Sequence, residues 1–281
     1  MRDDFGLPNT EYWNQLCGSR AARKLGIVAE DPAGVGTFDS WFFDFYPYLR
    51  DDRFIPWSSL TGRTVLEIGL GYGSVSRRLS TSGAYVTGVD ISPGPLYFAR
   101  ATSQAVGAVR ASALRLPFAD CSVDFIVSIG CLHHTGNLDQ SIHECLRVLQ
   151  PGGSLTMMVY NRYSYKKWIV SPRATLSAWI SERRGTSSEG GNQARPRVSR
   201  FWDRNLDGEA PPFTEFVSKR HLLNQFAAAS RVEVTTINVD NLTDLLPARL
   251  QRLRFDLVRT RLLDTWLSQK MGLDLYVKVV K

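Results

Sequence analysis

Long hydrophobic runs are missing from this 281-residue chain. None approaches the roughly 20 apolar residues that a membrane-spanning helix needs, so no membrane insertion is expected. The opening residues Met1-Arg2-Asp3-Asp4-Phe5 lack the apolar core of a secretion signal. Cysteine is scarce: Cys17, Cys121, Cys131 and Cys145 show no C-x-x-C spacing. That argues against a disulfide framework and for buried or neutral thiols in a reducing cytoplasm. His133, His134 and His143 have no zinc-like spacing with Cys131, and no metal is expected. No internal repeat is visible. What is left is an ordinary globular composition, 43% hydrophobic and 22% charged, long enough for one α/β domain with additions.

Charge of one sign is concentrated in one place. Between Asn161 and Asn205 stand Arg162, Lys166, Lys167, Arg173, Arg183, Arg184, Arg195, Arg197, Arg200 and Arg204, opposed by Glu182, Glu189 and Asp203 alone. That surplus equals the formal net charge of the whole chain, +7. A field so concentrated can steer an anionic partner; a solvated loop is the plainer alternative. Its centre, Gly185-Thr186-Ser187-Ser188-Glu189-Gly190-Gly191-Asn192, has the composition of a flexible linker.

The densest chemistry lies earlier. Val65-Leu66-Glu67-Ile68-Gly69-Leu70-Gly71-Tyr72-Gly73 is an apolar strand breaking into alternate glycines, and Asp90 ends the next apolar run. Such a strand–turn–helix unit builds a nucleotide-like pocket at the carboxyl ends of two neighbouring parallel strands. The glycines let the backbone approach a ligand closely, and the helix start favours a negative group. Asp90 can accept both hydroxyls of a ribose. Two details argue against a dinucleotide: Ser74 stands where that pattern has its third glycine, and Glu67 would repel a pyrophosphate. A ligand with an ammonium group would welcome Glu67. S-adenosylmethionine has a ribose, an adenine, a carboxylate, an ammonium and no phosphate.

At these residues the sequence resembles the class I S-adenosylmethionine-dependent methyltransferases, closest in look to the ubiquinone and menaquinone C-methylating type and their small-molecule relatives in secondary metabolism. The resemblance continues through Leu116-Pro117-Phe118-Ala119-Asp120, Asp124-Phe125-Ile126-Val127-Ser128, Leu132-His133-His134 and Leu146-Arg147-Val148-Leu149-Gln150-Pro151-Gly152-Gly153, so that it covers residues 60 to 161. It implies a Rossmann-like, doubly wound α/β sheet of seven strands whose last strand is antiparallel. The chain itself reads as helices at Asn9–Lys24 and Phe38–Arg50, then strands at Thr64–Ile68, Tyr85–Val89, Ala108–Ala111, Phe125–Ser128 and Ser154–Tyr160. Ser92 with Pro93, and Asn137 with Gln140, are candidate helix starts. Leu138, Ile142, Cys145 and Leu149 would form one buried stripe. A helix at Lys219–Ala229, a strand at Val232–Val239, two helices between Leu242 and Lys270 and a strand at Leu273–Val280 complete the reading. The expected organisation is a single domain: an N-terminal helical cover (1–58), a cofactor-binding core (59–160), a basic insertion after the fifth strand (161–217) and the rest of the sheet (218–281).

By the resemblance, Gly69, Gly71 and Gly73 line the methionine and ribose end, Glu67 attracts the ammonium and Asp90 holds the ribose. Ile91 packs on the adenine, with Ser112, Ala113 and Ile129 completing its site. Many relatives carry an acid at the place of Ser112; a serine oxygen accepts a weaker hydrogen bond. His134, or His133 beside it, is the candidate base, and Arg162 with Tyr163 the candidate contact to an anionic or carrier-linked acceptor. The expected activity is methyl transfer to a small molecule in the cytoplasm. RNA is the alternative acceptor, gripped by the basic insertion, and a third reading is a cofactor-binding partner subunit without catalysis.

Overall fold

A computed structural model gives the structure of the chain, and residues 7–16, 25, 34–186, 192–193, 203, 205, 208–239 and 266–281 are described. The central strands are apolar runs buried on both faces, which is what a parallel sheet sandwiched between helices demands, while the edge strand Val106–Arg110 is only partly buried. In chain order the first five strands are β1 (Thr64–Ile68), β2 (Tyr85–Asp90), β3 (Val106–Arg110), β4 (Val123–Ile129) and β5 (Leu149–Asn161). All pair in parallel in the order β3-β2-β1-β4-β5. A two-residue strand β6 (Asn192–Gln193) and β7 (Glu215–Val217) extend the far end of β5. β8 (Arg231–Ile237) and β9 (Asp274–Val280) close the sheet. β9 runs antiparallel between β5 and β8. The Rossmann-like order with an antiparallel last strand is therefore present, in a sheet of nine strands where seven were expected, the short β6 and β7 being the additions.

Period-two side-chain alternation sorts the core into two layers. Leu66, Ile126, Leu275 and Val277 pack in one cluster. Val65, Phe125, Val127 and Tyr276, their chain neighbours, pack in the other. The helices that cover these faces are α1 (Leu7–Leu16), α2 (Val35–Phe45), α3 (Ser74–Thr81), α4 (Pro93–Thr102), α5 (Leu138–Val148), α6 (Tyr165–Val170), α7 (Pro172–Arg183), α8 (Lys219–Gln225) and α9 (Trp266–Met271). Among the described residues no helix is long and apolar enough to cross a membrane.

Several local readings meet the structure differently. Asn137 caps α5 through Oδ1, which accepts from Gln140 N at 3.1 Å. Ser92 stands at the N-cap of α4 but makes no side-chain cap; its hydroxyl turns to donate to Thr10 O at 3.0 Å, a tertiary contact. Leu149 lies in the buried stripe but is already the first residue of β5. The second aromatic helix ends at Phe45, where Pro47 starts a 3-10 turn; proline cannot continue the hydrogen-bond ladder. α1 is described to Leu16, and the rest of the expected helix to Lys24 lies outside the described residues, as do Cys17 and residues 242–265. Cys121, Cys131 and Cys145 are free thiols.

One glycine inside β2 ties the sheet to the loop above it. A Cβ at Gly88 would stand 2.2 Å from Leu70 Cδ2, the side chain of the glycine-rich turn. Gly88→Ala is expected to destabilise the fold by about 1–3 kcal/mol through overpacking, read as a lower midpoint in urea denaturation. An unchanged midpoint would show that Leu70 moves aside freely.

Candidate functional site

The chain leaves β1 through a turn that only glycine accepts easily. Gly69, Gly71 and Gly73 have φ of +84°, +50° and +75°, left-handed values that cost most side chains roughly 1–2 kcal/mol. Gly73 then stands at the N-cap of α3 without a side-chain cap, so the first N–H groups of the helix stay available. The α-carbon of Gly71 faces open space, with nothing within 4 Å of where a Cβ would stand. Asp90, the last residue of β2, accepts from Leu70 N (3.0 Å) through Oδ2 and from Ser92 N (2.9 Å) through Oδ1. Burial pushes its carboxyl up to about 6 despite these bonds. Glu67, buried on β1, accepts a short hydrogen bond from Ser76 Oγ. Burial raises it to about 8, with Ser76 and Arg77 pulling the other way.

These groups open onto a cavity of about 590 Å³. Of the residues expected at the site, Glu67, Gly69, Gly71, Asp90, Ile91, Ser112, Ala113, Ile129 and His134 line it. Ser112 Oγ accepts from Leu114 N at 3.2 Å, holding a turn and leaving its O–H as a donor. Gly73 is absent from the lining and serves as the helix cap. α1 and α2 add Asn9, Trp13, Phe38, Trp41 and Phe42, with Tyr46 just after α2, and Phe213 comes from the chain before β7. α1 is tied down at both ends of the site: Asn9 Nδ2 donates to His134 O at 3.1 Å, and Asn14 Oδ1 accepts from Gly94 N at 2.8 Å.

The two histidines part company. His133 is fully buried, does not line the cavity, and neither ring nitrogen finds a hydrogen-bond partner among the described residues. Burial, then the neighbouring His134, drives its pKa well below the ordinary value, so it remains a neutral ring packed against His134 and Tyr160 at centroid distances of 4.0 and 4.2 Å. His134 Nδ1 lies 2.9 Å from Phe213 O, and Nε2 lies 3.4 Å from Asp203 Oδ2. Tyr160 Oη donates to the same Oδ2 at 2.8 Å. The Trp13 ring lies over His134 at 4.6 Å.

Arg162 and Tyr163 do not reach the cavity lining. The Arg162 side chain turns to β7, its Nε donating to Phe216 O at 3.1 Å, and the Tyr163 hydroxyl bonds Glu182. Lys166 is buried and Lys167 sits over the Phe216 ring at 4.4 Å. These members of the basic run are therefore built into the wall behind the cavity. Arg195, Arg197, Arg200 and Arg204 lie outside the described residues. Sequence reading missed Asp203, which it counted only as one of three opposing charges, and missed the lining roles of Asn9 and Trp13. No motif spacing marks any of the three.

The donor set fits a ribonucleoside with an amine: two carboxyls, one with its remaining lone pairs at a strand end and one in a dry wall, beside a turn whose backbone is bare. Comparison with known proteins agrees. Residues 66–157 match a family described as a methyltransferase domain. A demethylmenaquinone methyltransferase of Tropheryma whipplei (strain Twist) is 35% identical over 113 residues, covering 40% of this chain and 46% of the relative. An uncharacterized methyltransferase of Mycobacterium avium (strain 104) is 36% identical over 153 residues, covering 54% and 53%. The chain thus spans about half the length of the curated relatives it matches. The crystal structure of an S-adenosylmethionine-dependent methyltransferase from Mesorhizobium loti superposes with a TM-score of 0.53 at 16% identity, over 85% of this chain and 98% of that one, a likeness of fold.

A buried ring with two unbonded nitrogens contributes by packing alone, since an unsatisfied polar group costs about 1–3 kcal/mol. His133→Leu is therefore expected to hold stability within about 1 kcal/mol of the parent or to raise it, measured by urea denaturation. A loss well beyond that would reveal a polar partner for His133.

Proposed function

We propose that the protein transfers the methyl group of S-adenosylmethionine to a small-molecule acceptor held under α1 and α2, a reading supported by the match of residues 66–157 to a methyltransferase domain and by the methyltransferase relatives. The observation that carries this reading is the meeting in one cavity of the Glu67 and Asp90 carboxyls, the bare backbone of Gly69 and Gly71, and a polar pair, His134 and Asp203, set among aromatic rings. When bound, the cofactor supplies a methyl group already activated on a sulfonium. The chain's own work is then to hold and to exclude water. Asp90, with the backbone N–H of Leu70 on one oxygen, that of Ser92 on the other, and those of Ile91 and Gly71 beside them, presents its carboxylate to the ribose hydroxyls. Glu67 takes the ammonium. Ile91, Ala113 and Ile129 pack on the adenine, and Ser112 offers its O–H to a ring nitrogen. Displacement in line needs the acceptor atom held about 3 Å from the methyl carbon, so positioning supplies most of the acceleration.

Three features support a flat, largely apolar acceptor over the anionic one suggested by the basic run. Trp13, Phe38, Trp41, Phe42, Tyr46 and Phe213 line the cavity. Among the described lining residues there is no lysine or arginine, and the charged ones are Glu67, Asp90 and Asp203. The cover formed by α1 and α2 suits a small molecule better than a polynucleotide. We read the chain as one domain: cover, cofactor core, the segment between β5 and β7 that brings Asp203 to the cavity, and the closing strands.

Isothermal titration should show S-adenosylmethionine and its demethylated product binding with micromolar-scale affinity and NAD far more weakly; tight NAD binding would sink the assignment. Asp90→Ala should weaken binding by about 1.5–3 kcal/mol, the range for bonds to a charged group.

The acid shift gives a separate test. In the free protein Glu67 holds its proton up to about pH 8, and an ammonium bound beside it favours the ionised form. Binding at pH 7 should therefore release a proton, and affinity should fall as pH drops below 8, by up to about tenfold per unit. Titration in two buffers of different ionisation enthalpy counts that proton. Identical heats in both would remove Glu67 from the ammonium site.

A further inference from the structure

The proton positions on His134 are fixed by its neighbours. Phe213 O, 2.9 Å from Nδ1, is a carbonyl and can only accept, so Nδ1 carries a hydrogen. Thr214 Oγ1 is the other group near Nδ1, at 3.4 Å. Its hydroxyl could donate to a bare Nδ1, but the closer carbonyl would then face a lone pair. With Nδ1 protonated, a neutral ring has a bare Nε2, and Nε2 lies 3.4 Å from Asp203 Oδ2. Two lone pairs facing each other there repel, and His134 is buried, with 3% of its side chain exposed against 29% for Asp203. One proton must lie between them, and of a carboxylate and an imidazole the imidazole is the stronger base. An imidazolium holding its proton on Nε2 is no base toward the acceptor.

We propose that His134 and Asp203 rest as an imidazolium–carboxylate pair, with Asp203 the residue that accepts the acceptor's proton and His134 a positioning residue that holds Asp203 ionised and in place. This rests on the methyl transfer proposed above. Tyr160 and His134 both address Oδ2, and Oδ1 accepts no hydrogen bond from the described residues. Asp203 itself lines the cavity. An acceptor bearing an O–H or N–H donates to Oδ1. The acceptor atom forms its bond to the methyl carbon with its own electron pair, the carbon–sulfur pair stays on sulfur, and the O–H or N–H proton passes to Oδ1.

The surroundings agree with this charge state. Burial would raise Asp203, but the hydrogen bond and charge of His134, the Tyr160 hydroxyl and Lys166 together hold it below the usual carboxylate range. The groups that bear on the pair are Tyr160 on β5, Lys166 on α6, Tyr12 on α1, Glu215 on β7 and the neutral His133. Lys166 opposes a second cation, while the Glu215 carboxyl favours one.

The test uses full-length protein with nitrogen-15-labelled histidine, saturated with S-adenosylhomocysteine, and reads the ring nitrogens by NMR. His134→Gln identifies the His134 signals. At pH 7.5 both nitrogens of His134 should carry hydrogens. Asp203→Asn should convert the ring to the neutral form with hydrogen on Nδ1 alone, and Asp203→Glu should restore the imidazolium. A bare Nε2 in the unmutated protein overturns the assignment by itself, whether or not the variants fold. With any acceptor that is turned over, and with S-adenosylmethionine kept saturating at every pH so that the Glu67 linkage does not enter, kcat/KM for the acceptor should hold on the acid side of neutrality. Loss of acceptor turnover on acidification under those saturating conditions returns the base role to His134 and overturns the proposal. Failure to bind S-adenosylhomocysteine would instead strike the methyltransferase reading itself.

Discussion

The Asp90 carboxylate is the point on which the site hangs. It ends β2, receives the backbone N–H of Leu70 from the glycine turn and that of Ser92 from the start of α4, and so fixes three chain segments to one acid. Ser92 passes the constraint onward through its hydroxyl to Thr10 O, and Gly94 N does so to Asn14 Oδ1. α1 is thereby fastened to the same corner as the turn. From that position it can lay Asn9 on the His134 carbonyl and Trp13 on the His134 ring. A change at Asp90 would reach the cover and the histidine as well as the turn.

How much of this a sequence can show depends on the distance over which each feature is determined. β1 to β5, the cap of α5 and the glycine turn are local: apolar runs of strand length, an Asn three residues before an amide to be capped, glycines where φ is positive. All were readable. The antiparallel last strand came from resemblance, since nothing in Leu273–Val280 states its direction. Asp203 could not be found, because its meaning comes from Tyr160 and His134, which lie 43 and 69 residues earlier in the chain. Arg162 misled for a related reason. A cation leaving a strand at the pocket rim looks like a ligand contact until β7 pairs with β5 and offers the Phe216 carbonyl.

The basic run is a further instance of composition outrunning geometry. Several of its described members are spent on structure: Lys166 is buried, Lys167 covers Phe216 and Arg183 stacks on Trp179 at 3.8 Å, while Arg173 and Arg184 are exposed. Cations with long apolar stems pack in this way while their charges find partners. The cavity they stand behind is lined by acids and rings, the opposite of what the net charge suggests. Net charge describes the field far from a protein; a cavity answers to the few groups that line it.

Three carboxyls on that lining show how far neighbours set an acid's behaviour. Glu67, in a dry wall with one hydroxyl donor, is raised to about 8. Asp90, with backbone N–H groups on both oxygens, rises only to about 6. Asp203, facing an imidazole and a phenol, is held below the ordinary range despite its burial. The same functional group therefore ranges from protonated to ionised at neutral pH within one cavity. Pushing titratable groups apart in this way separates roles in active sites generally. Here it separates a group that gains its charge from a bound cation, Glu67, from one that already holds a charge before any ligand arrives, Asp203. Of these two only Asp203 is ionised before a ligand arrives, and it is the one beside the aromatic rings.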